Sequence, residues 1–211
     1  VVAFRADHRD VLVSPLGSLD DLPLGAHVGS SSLRRQAQLL SYRPDLRMAP
    51  IRGNVGTRLR KLDNSDYDAI VLAAAGIERL GLSRSDVHPI AIETCLPAPG
   101  QGALGVECAV NSPALEFLQP LIDVDLDRCI RAERGISAGL GADCALPVAA
   151  MAVLTESAEI SLSALVADAT GHRILKAQAL GNDPAEVSRA VVRQLYAAGA
   201  QELLDSVRRT K

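Results

Sequence analysis

Two arginine-bearing turns carry the most chemical information in this 211-residue chain. The first runs Gly29-Ser30-Ser31-Ser32-Leu33-Arg34-Arg35, and the second, about twenty residues on, runs Arg52-Gly53-Asn54-Val55-Gly56-Thr57-Arg58. Seven arginines and a single acid, Asp45, lie between residues 29 and 60, although the whole chain has a formal net charge of −3. Each turn stands between an apolar run and a helix-like run. A helix start offers unpaired N–H donors and a partial positive charge, and the guanidinium fork matches a carboxylate or phosphate. Two such turns imply a pocket for a small ligand with several negative groups; a solvated basic face is the plainer alternative. The GxxxxGK[ST] and GxGxxG patterns are absent, which argues against a P-loop or a dinucleotide fold. Tyr42 is the one aromatic nearby, too few to stack the bases of a single-stranded nucleic acid.

A second chemical candidate is the thiol of Cys144, in Leu140-Gly141-Ala142-Asp143-Cys144-Ala145-Leu146-Pro147. A lone cysteine is commonly an inert core residue; in a loop with Gly and Pro it can instead be an exposed nucleophile or attachment point. The four cysteines, Cys95, Cys108, Cys129 and Cys144, show no CxxC or Cys/His spacing, so no metal site is expected. None of the four histidines is linked to Cys144 by a motif. Asp143, Glu133 and Asp45 show no pairing signal and are expected to be structural or solvated.

The elements that must position these groups alternate at first. Residues 26–29 read as a strand, 31–42 as a helix with serine cap candidates, and 46–51 as a strand. Asn54 caps a helix to about Leu62, Asn64-Ser65-Asp66 is a turn, 67–74 is a buried strand, and a short helix spans 77–80. Alternation of this kind implies a parallel α/β sheet, with ligands beyond the carboxyl ends of its strands, where both arginine turns fall. Pro97-Ala98-Pro99-Gly100-Gln101-Gly102 interrupts the pattern as a hinge or crossover. After it come a helix at 126–140 and three strand-like runs at 146–154, 159–167 and 173–179. A helix from about Ala185 to Arg208 closes the chain, broken near Gly199. This order predicts a small α+β domain, an antiparallel three-stranded sheet with helices on one face.

Composition bounds the rest. Aromatics are 2% of the chain, so Val, Ile, Leu and Ala must fill the core. No apolar run approaches the ~20 residues of a membrane helix. The absence of a signal-peptide pattern and of paired cysteines leads us to expect reduced thiols and a cytoplasmic location. The chain opens on Val1, and Val1-Val2-Ala3-Phe4 reads like the inside of a strand, as in a chain that begins within a longer protein.

Taken together and in order, these segments resemble the porphobilinogen deaminase (hydroxymethylbilane synthase) family. The resemblance runs through Val28-Gly29-Ser30-Ser31-Ser32-Leu33-Arg34-Arg35-Gln36, Ile51-Arg52-Gly53-Asn54-Val55-Gly56-Thr57-Arg58-Leu59, Tyr67-Asp68-Ala69-Ile70, Ala75-Gly76-Ile77-Glu78-Arg79-Leu80-Gly81, Leu96-Pro97-Ala98-Pro99-Gly100-Gln101-Gly102-Ala103 and Arg131-Ala132-Glu133-Arg134, and on to Cys144 and Pro147. It covers nearly the whole chain.

The resemblance implies a transferase that joins four porphobilinogen units into hydroxymethylbilane with release of ammonia, in tetrapyrrole biosynthesis. It implies a covalent dipyrromethane cofactor on the Cys144 thioether, formed when a thiolate traps an electrophilic azafulvene. Ser32, Arg34, Arg35, Arg52, Gly53 and Arg58 would bind the cofactor; Arg52, Arg58, Arg79 and Gln101 would bind substrate, each pyrrole carrying an acetate and a propionate. It further implies a two-lobed, periplasmic-binding-protein-like body. Residues 1–98 would form one α/β lobe with a hinge remnant, 99–122 a crossover returning to the other lobe, and 123–211 the α+β domain bearing the cysteine. An intact enzyme of this kind is expected to be a monomer that binds neither nucleic acid nor membrane. The family's His-Ser-x-Lys-Asp-x-Pro segment, with its principal catalytic aspartate, has no match in these residues. The expectation is therefore a truncated chain, inactive alone; the competing reading is a noncatalytic module that binds a tetrapyrrole or another polyanion. Asp143 stands where the family often has glycine, an added negative charge beside the thiol.

Overall fold

The computed structural model describes residues 1–142 and 146–209. In chain order the elements are β1 (Val2–Arg5), β2 (Asp10–Val13), β3 (His27–Gly29), α1 (Leu33–Tyr42), β4 (Arg47–Ala49), α2 (Val55–Asp63), β5 (Ala69–Ala73), α3 (Ala74–Arg79), β6 (Val87–Pro89), β7 (Ala103–Gly105), α4 (Ala114–Leu118), α5 (Val124–Leu140), β8 (Val148–Leu154), β9 (Ile160–Ala167), β10 (Ile174–Gly181), α6 (Pro184–Ala197) and α7 (Ala200–Arg209). The strands form three sheets.

The largest sheet has the order β4-β3-β5-β2-β6. Its β4–β3 and β3–β5 pairings are parallel, as the alternating pattern predicts, whereas β2 pairs antiparallel with both β5 and β6. Both faces bury aliphatic side chains. Leu12, Val28, Leu39 and Val71 pack in one cluster, and Val13, Ile51, Leu59 and Ile70 in another. Burial on both faces explains why β2 and β5 lack a polar–apolar alternation. Because β2 runs against its neighbours, it starts where β5 ends: Asp10 lies opposite Ala73. An acid at the head of an apolar strand is thereby brought to the carboxyl edge of the parallel strands.

The second sheet, β10-β9-β8, is antiparallel throughout. Helices α5, α6 and α7 cover one of its faces in a core that includes Ile136, Leu162, Val191, Leu195 and Leu204. The closing helix is split as expected, by Gly199 at φ +99°. The other face meets α1 through Ala37, Ala149, Leu165 and Ala167. Gly171, in the β9–β10 turn at φ +75°, lies so close to the Ala37 carbonyl that no side chain fits there. This contact sets how near the C-terminal sheet comes to α1.

The third sheet is a two-stranded ribbon of β1 and β7. Its surroundings, residues 1–5 and 103–124, carry the exposed apolar side chains Phe4, Leu104, Val110, Phe117, Leu121 and Val124. The ribbon is tied to the C-terminal domain by one carboxylate. Glu133 of α5, with no exposed surface, accepts from both Nη atoms of Arg5 (2.6 and 3.2 Å), from Gly100 N (2.6 Å) and from Ala152 N (2.8 Å). Its role is thus structural, one of the two readings, structural or solvated, that its sequence context leaves open.

Candidate functional site

Both arginine turns follow a parallel strand, and backbone bonding stitches them together. Ser30 N donates to Ala49 O (2.9 Å). Ser31 Oγ donates to Ile51 O (2.8 Å) and accepts from Ile51 N (2.9 Å). Ser32 takes the N-cap position of α1 by backbone conformation, without a side-chain cap bond. Asn54 is a full cap of α2, accepting from Thr57 N at 2.9 Å. Gly53, at φ +117°, leaves no room for a Cβ beside Thr57, so the second turn requires glycine.

The first turn is bound to the frame through Asp10. Asp10 Oδ2 accepts from Arg34 Nη1 (2.7 Å), and Oδ1 from Arg35 Nε (3.0 Å) and Nη2 (2.7 Å). Gln101 Nε2 adds a bond of 2.9 Å to Oδ1. Burial alone would raise the Asp10 carboxyl, but Arg34 and Arg35 hold it below the usual carboxylate range. Arg34 also donates to Leu96 O (2.7 Å) and Gln101 Oε1 (3.2 Å), and Arg35 to Val71 O (3.3 Å). The Cys95 thiol donates to Asp10 Oδ2 at 3.3 Å; burial, then the Asp10 charge, push its pKa up to about 12, so it stays neutral. With one carboxylate between two guanidiniums, the cluster is net positive.

A cavity of about 380 Å3 opens beside this cluster. Ser32, Arg34, Arg35 and Gln101 line it together with Ala98, Pro99, Ser137, Ala142, Leu146 and Val148. Ala142 and Leu146 are the described residues on either side of 143–145, so the cavity borders both ends of the segment holding Cys144. Cys144 itself lies outside the described residues. Its lining is cationic and polar at Ser32, Arg34, Arg35 and Gln101 and apolar at Pro99, Leu146 and Val148. That combination suits a ligand with a flat apolar body and acidic arms.

The remaining expected site residues are elsewhere. Arg52, Gly53, Arg58 and Arg79 do not line this cavity. Arg52 and Arg79 are exposed, and neither forms an ion pair among the described residues. Arg58 Nε donates to Gly53 O across its own turn (2.8 Å), with no acid partner among the described residues. Sequence reasoning missed Asp10; the signal available was the charged residue heading the apolar Val11-Leu12-Val13 run. Among the described residues there is no group of His, Cys, Asp and Glu able to hold a metal, and no helix is long and apolar enough to cross a membrane.

Comparison with known proteins adds the family. Residues 1–116 match the family model described as porphobilinogen deaminase, dipyromethane cofactor binding domain, and residues 128–197 match the porphobilinogen deaminase C-terminal domain. Similar curated relatives include the porphobilinogen deaminase of Acidithiobacillus ferrooxidans, 49% identical over 206 residues, covering 97% of this chain and 67% of the relative. That of Geobacillus sp. (strain WCH70) is 45% identical over 207 residues, again 97% of this chain and 67% of the relative. That of Stenotrophomonas maltophilia (strain K279a) is 47% identical over 205 residues, 95% and 67%. Among solved structures, the substrate binding protein of an amino acid ABC transporter has TM-score 0.28 and 13% identity, covering 97% of this chain and 62% of that chain.

Proposed function

Since this chain belongs to the porphobilinogen deaminase family, transferases of tetrapyrrole biosynthesis, we propose that it serves the condensation of four porphobilinogen units into hydroxymethylbilane, releasing ammonia. The observation that supports this best is the cavity, where Ser32, Arg34, Arg35 and Gln101 meet the residues flanking Cys144. A dipyrromethane group tethered at Cys144 would supply the pyrrole carbon to which substrate units are added. The residues present fit such a group. Arg34 and Arg35 would take its acetate and propionate arms, Ser32 and Gln101 would add hydrogen bonds, and Pro99, Leu146 and Val148 would cover its rings and exclude water. Arg52, Arg58 and Arg79, which keep their charge toward solvent, would serve the carboxylates of incoming units as negative charge accumulates.

The proposal extends to organisation. Residues 1–98 act as one lobe with a hinge remnant at its start, 99–122 as a crossover and 123–211 as the cysteine-bearing domain. The exposed apolar surface on β1, β7 and α4 would then pack against a further lobe bearing the family's catalytic aspartate, for which these 211 residues have no match. The 211 residues alone are expected not to turn over. The test is incubation with porphobilinogen of this chain, alone and fused behind the segment of the Acidithiobacillus ferrooxidans relative that it lacks. Ammonia, tetrapyrrole and intact mass are followed. The fusion should turn over and carry a dipyrromethane mass that Cys144→Ser abolishes. A loaded Cys144→Ser fusion, or full turnover by the unfused chain, contradicts the proposal.

A further inference from the structure

Asp10 is fully buried and spends both oxygens on Arg34, Arg35, Gln101 and Cys95, so no ligand can reach it. A guanidinium has five N–H donors. Counting the bonds above, among the described residues Arg34 keeps its Nε–H and one Nη2 hydrogen, and Arg35 keeps one hydrogen on each Nη, uncommitted. Those donors belong to side chains that line the cavity. Their directions are fixed because the same buried carboxylate binds both guanidiniums. Gln101 adds a link from the 98–102 crossover, donating to Asp10 and accepting from Arg34, so the cavity wall and the arginines form one unit.

We propose that Asp10 is a positioning residue of the ligand site: it orients the free N–H groups of Arg34 and Arg35 toward ligand carboxylates while leaving the pair with a surplus positive charge. The proposal rests on the functional reading above. It differs from charge compensation in the sign of one effect. A mere counter-ion competes with an anionic ligand, so removing its charge tightens binding. A positioning carboxylate aids the ligand, so removing it weakens binding although the site becomes more positive.

The experiment titrates the full chain with a synthetic dipyrromethane carrying one acetate and one propionate per ring. Wild type, Asp10→Asn, Arg35→Gln and the control Asp86→Asn are compared, Asp86 being another arginine-paired carboxylate, bound to Arg84 at 2.7 Å, that does not line the cavity. Asp10→Asn should weaken binding about tenfold or more, the scale of a lost charge-assisted bond. Asp86→Asn should stay within about twofold, as expected for independent sites. Unchanged or tighter binding by Asp10→Asn overturns the proposal. Wild type settles the case if Asp10→Asn does not fold. In 15N-arginine spectra during titration, the Arg35 Nε–H should keep its frequency while its Nη resonances shift. A moving Nε–H means that the ligand displaces Asp10, and the proposal fails. If wild type shows no saturable binding and Arg35→Gln is indistinguishable from it, the functional reading itself falls. Binding that only the Asp10 variant leaves intact overturns the positioning role alone.

Discussion

The two arginine turns have nearly the same composition and the same place at the end of a parallel strand, yet opposite surroundings. In the first, Arg34 and Arg35 are 5% and 11% exposed and share the buried Asp10. In the second, Arg52 is exposed, and Arg58 is half-buried and, among the described residues, bonds its own turn through Gly53 O. A guanidinium taken out of water needs a counter-ion, since an unpaired buried charge is very costly. The first turn is therefore part of the frame, with its directions fixed and some of its donors spent. The second keeps its charge in solvent, where it is screened and adjustable. Adjacent arginines in sequence thus divide into fixed recognition groups and free charge, and a nearby acid on another strand decides which is which.

The largest expected effect separates the turns by stability. Asp10→Ala strands two nearly buried guanidiniums and should cost about 3–5 kcal/mol in urea denaturation, as removing one partner of a buried pair does. Arg52→Ala should stay within about 0.5 kcal/mol, as at other exposed sites. Equal losses would break the comparison. Acid sharpens it. The folded Asp10 carboxyl titrates below its unfolded value, so its stabilising contribution is complete above about pH 4 and is lost as pH falls through the lower folded value. Melting temperature against pH should show that acid limb in wild type and in Arg52→Gln, and a flatter one in Asp10→Asn.

Ligand affinity gives the next effect. Arg35→Gln should weaken dipyrromethane binding, and Arg58→Gln the binding of the longer product hydroxymethylbilane, each by about 1.5–3 kcal/mol, one charge-assisted bond. Salt should tell them apart, because interactions of exposed charges are screened beyond about 10 Å at 0.1 M and those of buried charges much less. Raising salt should shrink the Arg58→Gln effect and spare that of Arg35→Gln. The smallest change is local: Asn54→Ala removes the cap of α2 and should cost about 1 kcal/mol, with the first turn unaffected.

Much of this was legible in the sequence. The turn signals, the Asn54 cap and the Gly199 break give helices close to those observed, and the three late strands form the expected antiparallel sheet. Local signals failed where pairing is long-range. Strand β2 is four buried residues with no turn at its head, and its antiparallel place between β5 and β6 depends on contacts about 60 and 76 residues away in sequence. Asp10 was missed for the same reason: its partners are 24, 25 and 91 residues distant. The arginines were legible by type, but their division into fixed and free was not, because no local pattern reports burial. Glu133 could be read only as structural or solvated; three elements converging on its carboxylate decide for structural.

The claim beneath all of this is that arginine meets pyrrole carboxylates at the cavity bordering the Cys144 segment. Calorimetric titration of the chain with the acetate- and propionate-bearing dipyrromethane, and with its methyl esters, tests it most directly. The account predicts saturable binding of the acid, weakened by Arg35→Gln, and none of the ester. Equal binding of acid and ester, or acid binding indifferent to Arg35, would contradict it.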